Sequence, residues 1–467
     1  MSSNPLKQDK TMQKNIFRIA MLMLSAGAMT LASCSSDDGL EGNNDTNGQI
    51  SKVTTLTAST PGSEATTRSA IDGSDNTMVN WQSNDALSVF DGTNNDQYTL
   101  TDGSGTTTGS FSGTSTGTPA TALYPYNSEA TYDGSVITAT IPSEQTATEG
   151  SYDPATGLMI GAISGTTITF KHVCAYLRVV APDTEVGADG AADGTGYTLT
   201  KITINTENMG TALTGKATFS PTDGSFTAVE TSAAVTLKGT FTAGSEYYAA
   251  ILPISSATSL IISYVYVSTT DHKCVVKTKA SSNTLTLQTG HTKKLPAVTS
   301  DLTARQGIQL WADGPYFATT NLGETTVTGD TATYTWTASG TDSDSASKTW
   351  GSAWKVPTKT EMNELYLASS NGNSSDKVSC TYTTYPNSSY YGFNYTGSTT
   401  GYTNNSLFLP AKNGNSDDGY AFYWSGTDDG DGYCRSLYLR CDYGSWEDSG
   451  WGISMTSFSI HVRPVLK

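Results

Sequence analysis

A mainly β protein with three structured regions is what this sequence predicts, and three observations carry the expectation. Thr, Ser, Gly, Asn and Tyr dominate, while only 15% of residues are charged; that mixture favours strands and turns over helices. Short strand-like runs recur between Gly, Asp, Asn and Pro turns, at intervals close to those of a β-sandwich. Up to residue 300 no segment has a convincing amphipathic helical period.

The chain opens on a different texture. Lys7, Lys10, Lys14 and Arg18 form a basic region ahead of an apolar run from Ile19 to Ser33, the layout of an export signal. That run is 15 residues long and falls short of the ~20 needed to cross a bilayer as a helix. It ends in Leu31-Ala32-Ser33-Cys34, which resembles the lipobox where signal peptidase cuts before a diacylated cysteine. Residues 1–33 are therefore the expected lipoprotein signal peptide and Cys34 the expected lipidation site, carrying the palmitate-type anchor. Ser35-Ser36-Asp37-Asp38 is similar to the acidic tether of surface-exported lipoproteins, and residues 34–49 have too little apolar surface to order the chain. The implied location is the outer membrane, facing outward.

Losing residues 1–33 removes four basic residues and one acidic one, taking the formal charge from −17 to about −20. Such a surface repels nucleic acid and anionic lipid heads. Cys34 is assigned to lipid, and Cys174, Cys274, Cys380, Cys434 and Cys441 match no metal ribbon or C-x-x-C pair. At most two disulfides could form among five thiols, and Cys174, inside an apolar run, reads as a small core hydrophobe.

From Ile50 the strand-like runs begin: Ile50 to Ala58, Ala86 to Phe90, Tyr98 to Thr101, Ala120 to Tyr124 and Val136 to Ile141. A second set covers Thr167 to Phe170, Tyr176 to Val180, Tyr197 to Ile204, Ala233 to Leu237, Tyr247 to Leu252, Leu260 to Val267 and Thr284 to Leu287. Two β-sandwiches over 50–165 and 166–300 accommodate them. Within these runs Asn80-Trp81-Gln82, Asp85 to Phe90, Ala122-Leu123-Tyr124-Pro125-Tyr126, Ile141-Pro142 with Gln145, Leu158-Met159-Ile160, Phe170-Lys171-His172, Tyr248 to Pro253 and Leu287 to His291 resemble the ordered landmarks of the fimbrillin family. That resemblance implies lipoprotein-derived subunits of type V pili built from two transthyretin-like β-sandwich domains. By residue chemistry alone, Trp81 should anchor a core with its indole N–H partnered, Pro125 and Pro142 close strands, and Gly290 permits a turn. His172, alone in an apolar strand, reads as a core residue.

The region 301–467 changes again. Trp311-Ala312-Asp313-Gly314, Phe317 to Gly323, Trp354 to Thr358, Leu407 to Ala411, Tyr423-Trp424-Ser425 and Val462 to Val465 resemble the FISUMP-type, C-type-lectin-like domain, which implies an α+β fold. Thr358-Lys359-Thr360-Glu361 is also a capping box in its own right. Met362, Leu365 and Tyr366 then supply the buried face of a short helix, which Gly372 can end. Trp311, Trp336, Trp350, Trp354, Trp424 and Trp446 predict an aromatic core, an exposed binding surface, or both. The texture shift suggests a segment able to fold independently.

Catalytic chemistry has little support. Four histidines are scattered at 172, 272, 291 and 461, and there is no nucleophile elbow, H-E-x-x-H, P-loop or Rossmann glycine pattern. Distant paired carboxylates of a glycosidase leave no sequence signature. The lectin-like fold is shared with formylglycine-generating enzymes, but the residues around Cys434 and Cys441 do not resemble that site. No enzyme and no obligatory cofactor are expected. Asp417, Asp418, Asp428, Asp429 and Asp431 supply hard oxygens suited to Ca²⁺, although Asp and Gly equally form bare turns. Tyr423, Trp424, Tyr433 and Trp446 are the candidate ligand-stacking residues.

The resulting expectation is a pilus subunit, placed at the tip, that adheres to a host protein or glycan and joins other subunits by β-strand addition. The alternative is a surface lipoprotein of the same architecture that captures a ligand without polymerising. In the resembling family an arginine-specific protease removes the first strand, and Arg68, with Ser69 as the new N-terminus, is the matching position. Lys52 and Arg68 are the only basic residues between the anchor and Lys171.

Overall fold

The computed structural model describes residues 52–61, 80–92, 94–191, 194–297, 302–370, 372–412, 414–416, 418–428, 433–442, 445–446, 450–455 and 459–467. With 52% strand and 5% helix the protein is mainly β, and residues from Ile50 to Lys467 cluster as one unit.

Eleven strands come first: β1 (Lys52–Ser59), β2 (Ala86–Phe90), β3 (Asn95–Asp102), β4 (Thr108–Ser115), β5 (Thr121–Tyr124), β6 (Thr131–Tyr132), β7 (Ile137–Ile141), β8 (Glu144–Thr146), β9 (Met159–Ser164), β10 (Thr167–Thr169) and β11 (Lys171–His172). Eight of them form a sheet in the order β10-β1-β4-β3-β2-β5-β9-β11, and a further β9–β10 pairing closes it into a barrel-like sheet. Closure removes free edges, which would otherwise be templates for association. Its interior packs Leu56, Leu87, Val89, Tyr98, Phe111, Met159, Ile168 and Phe170 around Trp81. Trp81 is fully buried, and its indole N–H donates to the Ala58 carbonyl at 3.1 Å, as the need of a buried indole for a partner requires.

The next strands are β12 (Ala175–Val180), β13 (Glu185–Val186), β14 (Tyr197–Thr206), β15 (Thr214–Phe219), β16 (Phe226–Ser232), β17 (Ala234–Lys238), β18 (Glu246–Ile251), β19 (Ile254–Ser268), β20 (Lys273–Leu287) and β21 (Thr292–Lys294). Before residue 300 the only helical turn among the described residues is the 3-10 segment Glu207–Met209. Strands do not respect the expected boundary at 165/166: β7 pairs β15 and β8 pairs β17. A shared core of Phe90, Leu123, Ile160, Tyr176, Phe219 and Leu252 lies between the two halves. His172 is buried there, edge-on to Tyr176.

The last region holds β22 (Thr303–Gln309), β23 (Tyr316–Ala318), β24 (Tyr334–Thr335), α1 (Ser345–Trp350), β25 (Trp354–Lys355), α2 (Lys359–Ser369), β26 (Val378–Thr384), β27 (Tyr391–Gly397), β28 (Ser406–Pro410), β29 (Asp418–Asp428), β30 (Tyr433–Asp442), β31 (Ser445–Trp446), β32 (Gly450–Met455), β33 (Ser459–Ile460) and β34 (Val465–Leu466). The capping box forms as the sequence requires: the Thr358 hydroxyl accepts from the Glu361 N–H, and Glu361 accepts from the Thr358 N–H. Met362 and Leu365 are buried, Tyr366 is half-buried against the same core, and Ser370 is the C-cap.

The boundary at 300/301 is likewise crossed by hydrogen bonds. β22 pairs antiparallel with β20, so one ten-stranded sheet continues from β14, β19 and β20 into β22, β23, β34 and β25. This explains why Leu260 to Tyr266 is buried at every position. One face of β19 meets the core of Leu177, Ile202, Ile262 and Tyr264; the other brings Val265 against Trp350, Trp354 and Trp424. A strand covered on both faces loses the polar alternation of a half-exposed one. Arg305 stacks over the Trp350 ring at 4.6 Å, and Asn205 accepts from the Ser352 N–H at 2.9 Å.

Candidate functional site

The feature that best defines a site is the seat of β1. Its residues alternate: Leu56 and Ala58 point inward with no exposure, while Val53 is 73% exposed and Thr55 and Thr57 face solvent. The strand is paired along both edges. Lys52 to Ser59 run antiparallel to Ser115 to Thr108 of β4, and Thr57 to Ser59 run parallel to Thr167 to Thr169 of β10. The Thr57 N–H donates to Thr166 O at 2.8 Å, and Ser59 O accepts from Phe170 N at 2.9 Å.

The floor of the seat is shaped by a missing side chain. Gly109 lies opposite Ala58, and a Cβ there would stand 2.6 Å from Leu100 Cδ1 and 2.8 Å from Trp81 Cδ1. Trp81 itself stacks edge-on against Phe111, Tyr124 and Phe170 at centroid distances of 4.9, 5.1 and 5.7 Å. Position 58 therefore admits a small residue and position 56, opposite Phe111, a leucine-sized one. The glycines of β4 carry no apolar signal, so sequence reasoning passed over that strand; the only clue is Phe111 between glycines.

The expected C-terminal stacking residues are placed differently. Tyr423 and Trp424 have no exposure, which corrects the reading of them as ligand platforms. β29 is covered on both faces, so Tyr423 enters the core of Leu409, Leu437 and Phe393 and Trp424 enters that of Trp350 and Trp354. Trp424 donates its indole N–H to Tyr334 O at 2.7 Å, and Tyr423 packs at 5.7 Å from the His461 ring. Tyr433 and Trp446 lie on β30 and β31, with side chains outside the described set. Of the tryptophans expected to form a core or a surface, Trp311, Trp350, Trp354 and Trp424 are core.

Of the five acidic candidates, Asp418 and Asp428 lie among the described residues. Asp418 is exposed and closes a turn with Asn415, its N–H donating to Asn415 Oδ1 at 3.1 Å, while Tyr382 donates to Asp418 O at 2.7 Å. Asp428 is exposed at the end of β29. Among the described residues no group of three or more His, Cys, Asp or Glu could hold a metal. Asp417, Asp429 and Asp431 lie outside the described residues, as do Cys34, Arg68 and Ser69.

Cys174, Cys274 and Cys380 are free thiols. Burial pushes Cys174 up to about 12 and raises Cys274 and Cys380 well above the ordinary thiol range. At pH 8 a thiol with pKa about 12 is thiolate to roughly one part in ten thousand. Iodoacetamide at pH 8 is therefore expected to leave Cys174 and Cys274 unlabelled in the native protein and to alkylate them in urea; rapid native labelling of either would contradict their burial.

A closed β sheet whose strand β1 is paired along its whole length with β4 and over its last three residues with β10, fused through a continuous sheet to a tryptophan-rich region with two short helices among the described residues, is what the chain presents. No protein-family model matches it, and no curated protein matches it significantly.

Proposed function

We propose that this chain is a surface lipoprotein of the fimbrillin type, two transthyretin-like sandwiches carrying a C-type-lectin-like domain, and that β1 is a placeholder removed when the subunit assembles. One observation carries the reading: β1 is hydrogen-bonded on both edges and seats Leu56 and Ala58 over Trp81. Its departure would leave the facing edges of β4 and β10 bare, with an apolar floor between them. That is a seat for an incoming strand, in which main-chain bonds give affinity and alternate side chains give specificity.

The tip placement draws support from β22 and β34, each paired on both sides within the ten-stranded sheet. Neither is available as a donor strand. The C-terminal region then carries recognition of a host protein or glycan. The non-polymerising alternative draws on the closed barrel, which is complete with β1 in place.

N-terminal sequencing of pilus-associated protein separates the two. A start at Ser69, after cleavage at Arg68, is the expected result. Material that retains lipid-bearing Cys34 would overturn the placeholder role and leave an anchored receptor.

A further inference from the structure

We propose that the cleft between the Trp311–Pro315 turn and the outer face of α2 binds the vicinal hydroxyls of a neutral glycan; this rests on the reading that the C-terminal region carries recognition. The cleft has a volume of about 520 Å³, within the ~300–1,000 Å³ of sites that hold small ligands.

Its charged groups are largely committed to each other. Glu361 pairs with Lys355 at 2.8 Å while serving the capping box. Glu364 pairs with Lys377 at 3.1 Å and accepts from the Ser375 hydroxyl at 2.6 Å. Lys359 sits over the Trp451 ring at 5.5 Å. Among the described residues Lys377 is thus ion-paired, and Lys359 is the one lining cation with no carboxylate partner.

Asp313, Thr360 and Asn363 also line the cleft. Among the described residues none of these three side chains has a hydrogen-bond or ion-pair partner within the chain. Together they present two carboxylate acceptors, a hydroxyl, and an amide that both donates and accepts. Adjacent sugar hydroxyls, each donor and acceptor at once, complement that set, whereas an anionic ligand would meet the Asp313 carboxylate. The formal charge of the whole chain, −17, adds to the preference for a neutral ligand.

The turn is held rigid before any ligand arrives. Gln309 Nε2 donates to Gly314 O at 2.7 Å. The Gly314 backbone lies so close to the indole that a Cβ would stand 2.6 Å from Trp311 Cε2. Asp313 is kept at φ 58°. A polar group fixed in advance loses less entropy on binding.

The test uses the whole mature chain on two arrays, one of neutral host-type oligosaccharides and one of bacterial polysaccharides, which separates the two sources of the same hydroxyl chemistry. Asp313→Gly, which suits the positive φ, removes the carboxylate; Asn363→Trp fills the cleft. Binding to neutral glycans on either array, weakened at least tenfold in both variants with unchanged melting temperature, is the expected result. Undiminished binding in both variants would overturn the cleft while leaving C-terminal recognition standing elsewhere. Binding confined to sialylated or sulfated glycans, or to none, would overturn the assignment of a neutral ligand.

Discussion

Trp81→Ala is expected to destabilise the protein by about 3–5 kcal/mol, the range for truncating a large buried aromatic. The indole has no exposure and three edge-on aromatic partners, so alanine leaves a void bounded by Phe111, Tyr124 and Phe170. Those rings belong to β4, the end of β5 and the segment after β10, each fixed by its own main-chain pairing, so they cannot close fully over the gap. The lost N–H donor to Ala58 O weakens the hold on β1 as well. Trp81→Phe separates the two effects, since it keeps most of the packing and removes the donor, at about 1 kcal/mol for the hydrogen bond itself. Denaturant unfolding measures the loss, and amide exchange at Thr57, whose N–H is bonded to Thr166 O, reports on β1. A cost below about 1 kcal/mol for alanine would show that the barrel interior repacks and that Trp81 is not its anchor.

Much of the first two-thirds of the chain was legible because its strands carry the signal that periodicity detects. Ala86 to Phe90 was expected and is β2; Tyr176 to Val180 was expected and β12 spans Ala175–Val180. The expected run Ile50 to Ala58 became Lys52–Ser59. What failed to show were strands whose packing needs the absence of side chains. β4 reads Thr-Gly-Ser-Phe-Ser-Gly-Thr-Ser, and Gly109 is small because Trp81 and Leu100 occupy its side-chain space. α1 is only six residues long, too short for a helical period to register.

The C-terminal candidates failed for a related reason. A single sequence shows that Tyr423 and Trp424 are adjacent and aromatic, and in a half-exposed strand one of the two would face water. β29 instead separates two cores, so both neighbours are buried. Nothing local announces the second cover, because it comes from Trp350 and Trp354 and from β19 and β20 across the expected boundary at 300/301. The continuity of β20 with β22 is a long-range pairing of the same kind, invisible to the composition shift that suggested separate regions.

Asp344→Ala is expected to have the other large effect, about 2.5–8 kcal/mol, although Asp344 carried no signal in the sequence. Its carboxylate has no exposure and accepts four main-chain N–H groups. Oδ1 takes Ala346 at 2.9 Å and Ser347 at 3.0 Å, capping α1; Oδ2 takes Gly340 at 2.7 Å and Val356 at 2.9 Å. Loss of the cap alone costs about 0.5–2 kcal/mol. The Gly340 and Val356 donors are then left buried without acceptors, at about 1–3 kcal/mol each. These bonds join the turn before α1 to the strand after it, and that segment carries Trp350 and Trp354 into the core shared with Val265 and Cys274. Damage should therefore spread beyond α1 into the contact of Trp350 and Trp354 with β19 and β20 of the ten-stranded sheet. Asp344→Asn keeps one acceptor oxygen and turns the other position into a donor facing two N–H groups, so it should recover less than half of the loss. Urea unfolding of the whole chain measures the cost, and near-ultraviolet circular dichroism follows the tryptophans. If alanine costs under about 1 kcal/mol and the tryptophan signal is unchanged, the carboxylate does not hold this junction and water replaces it at all four donors.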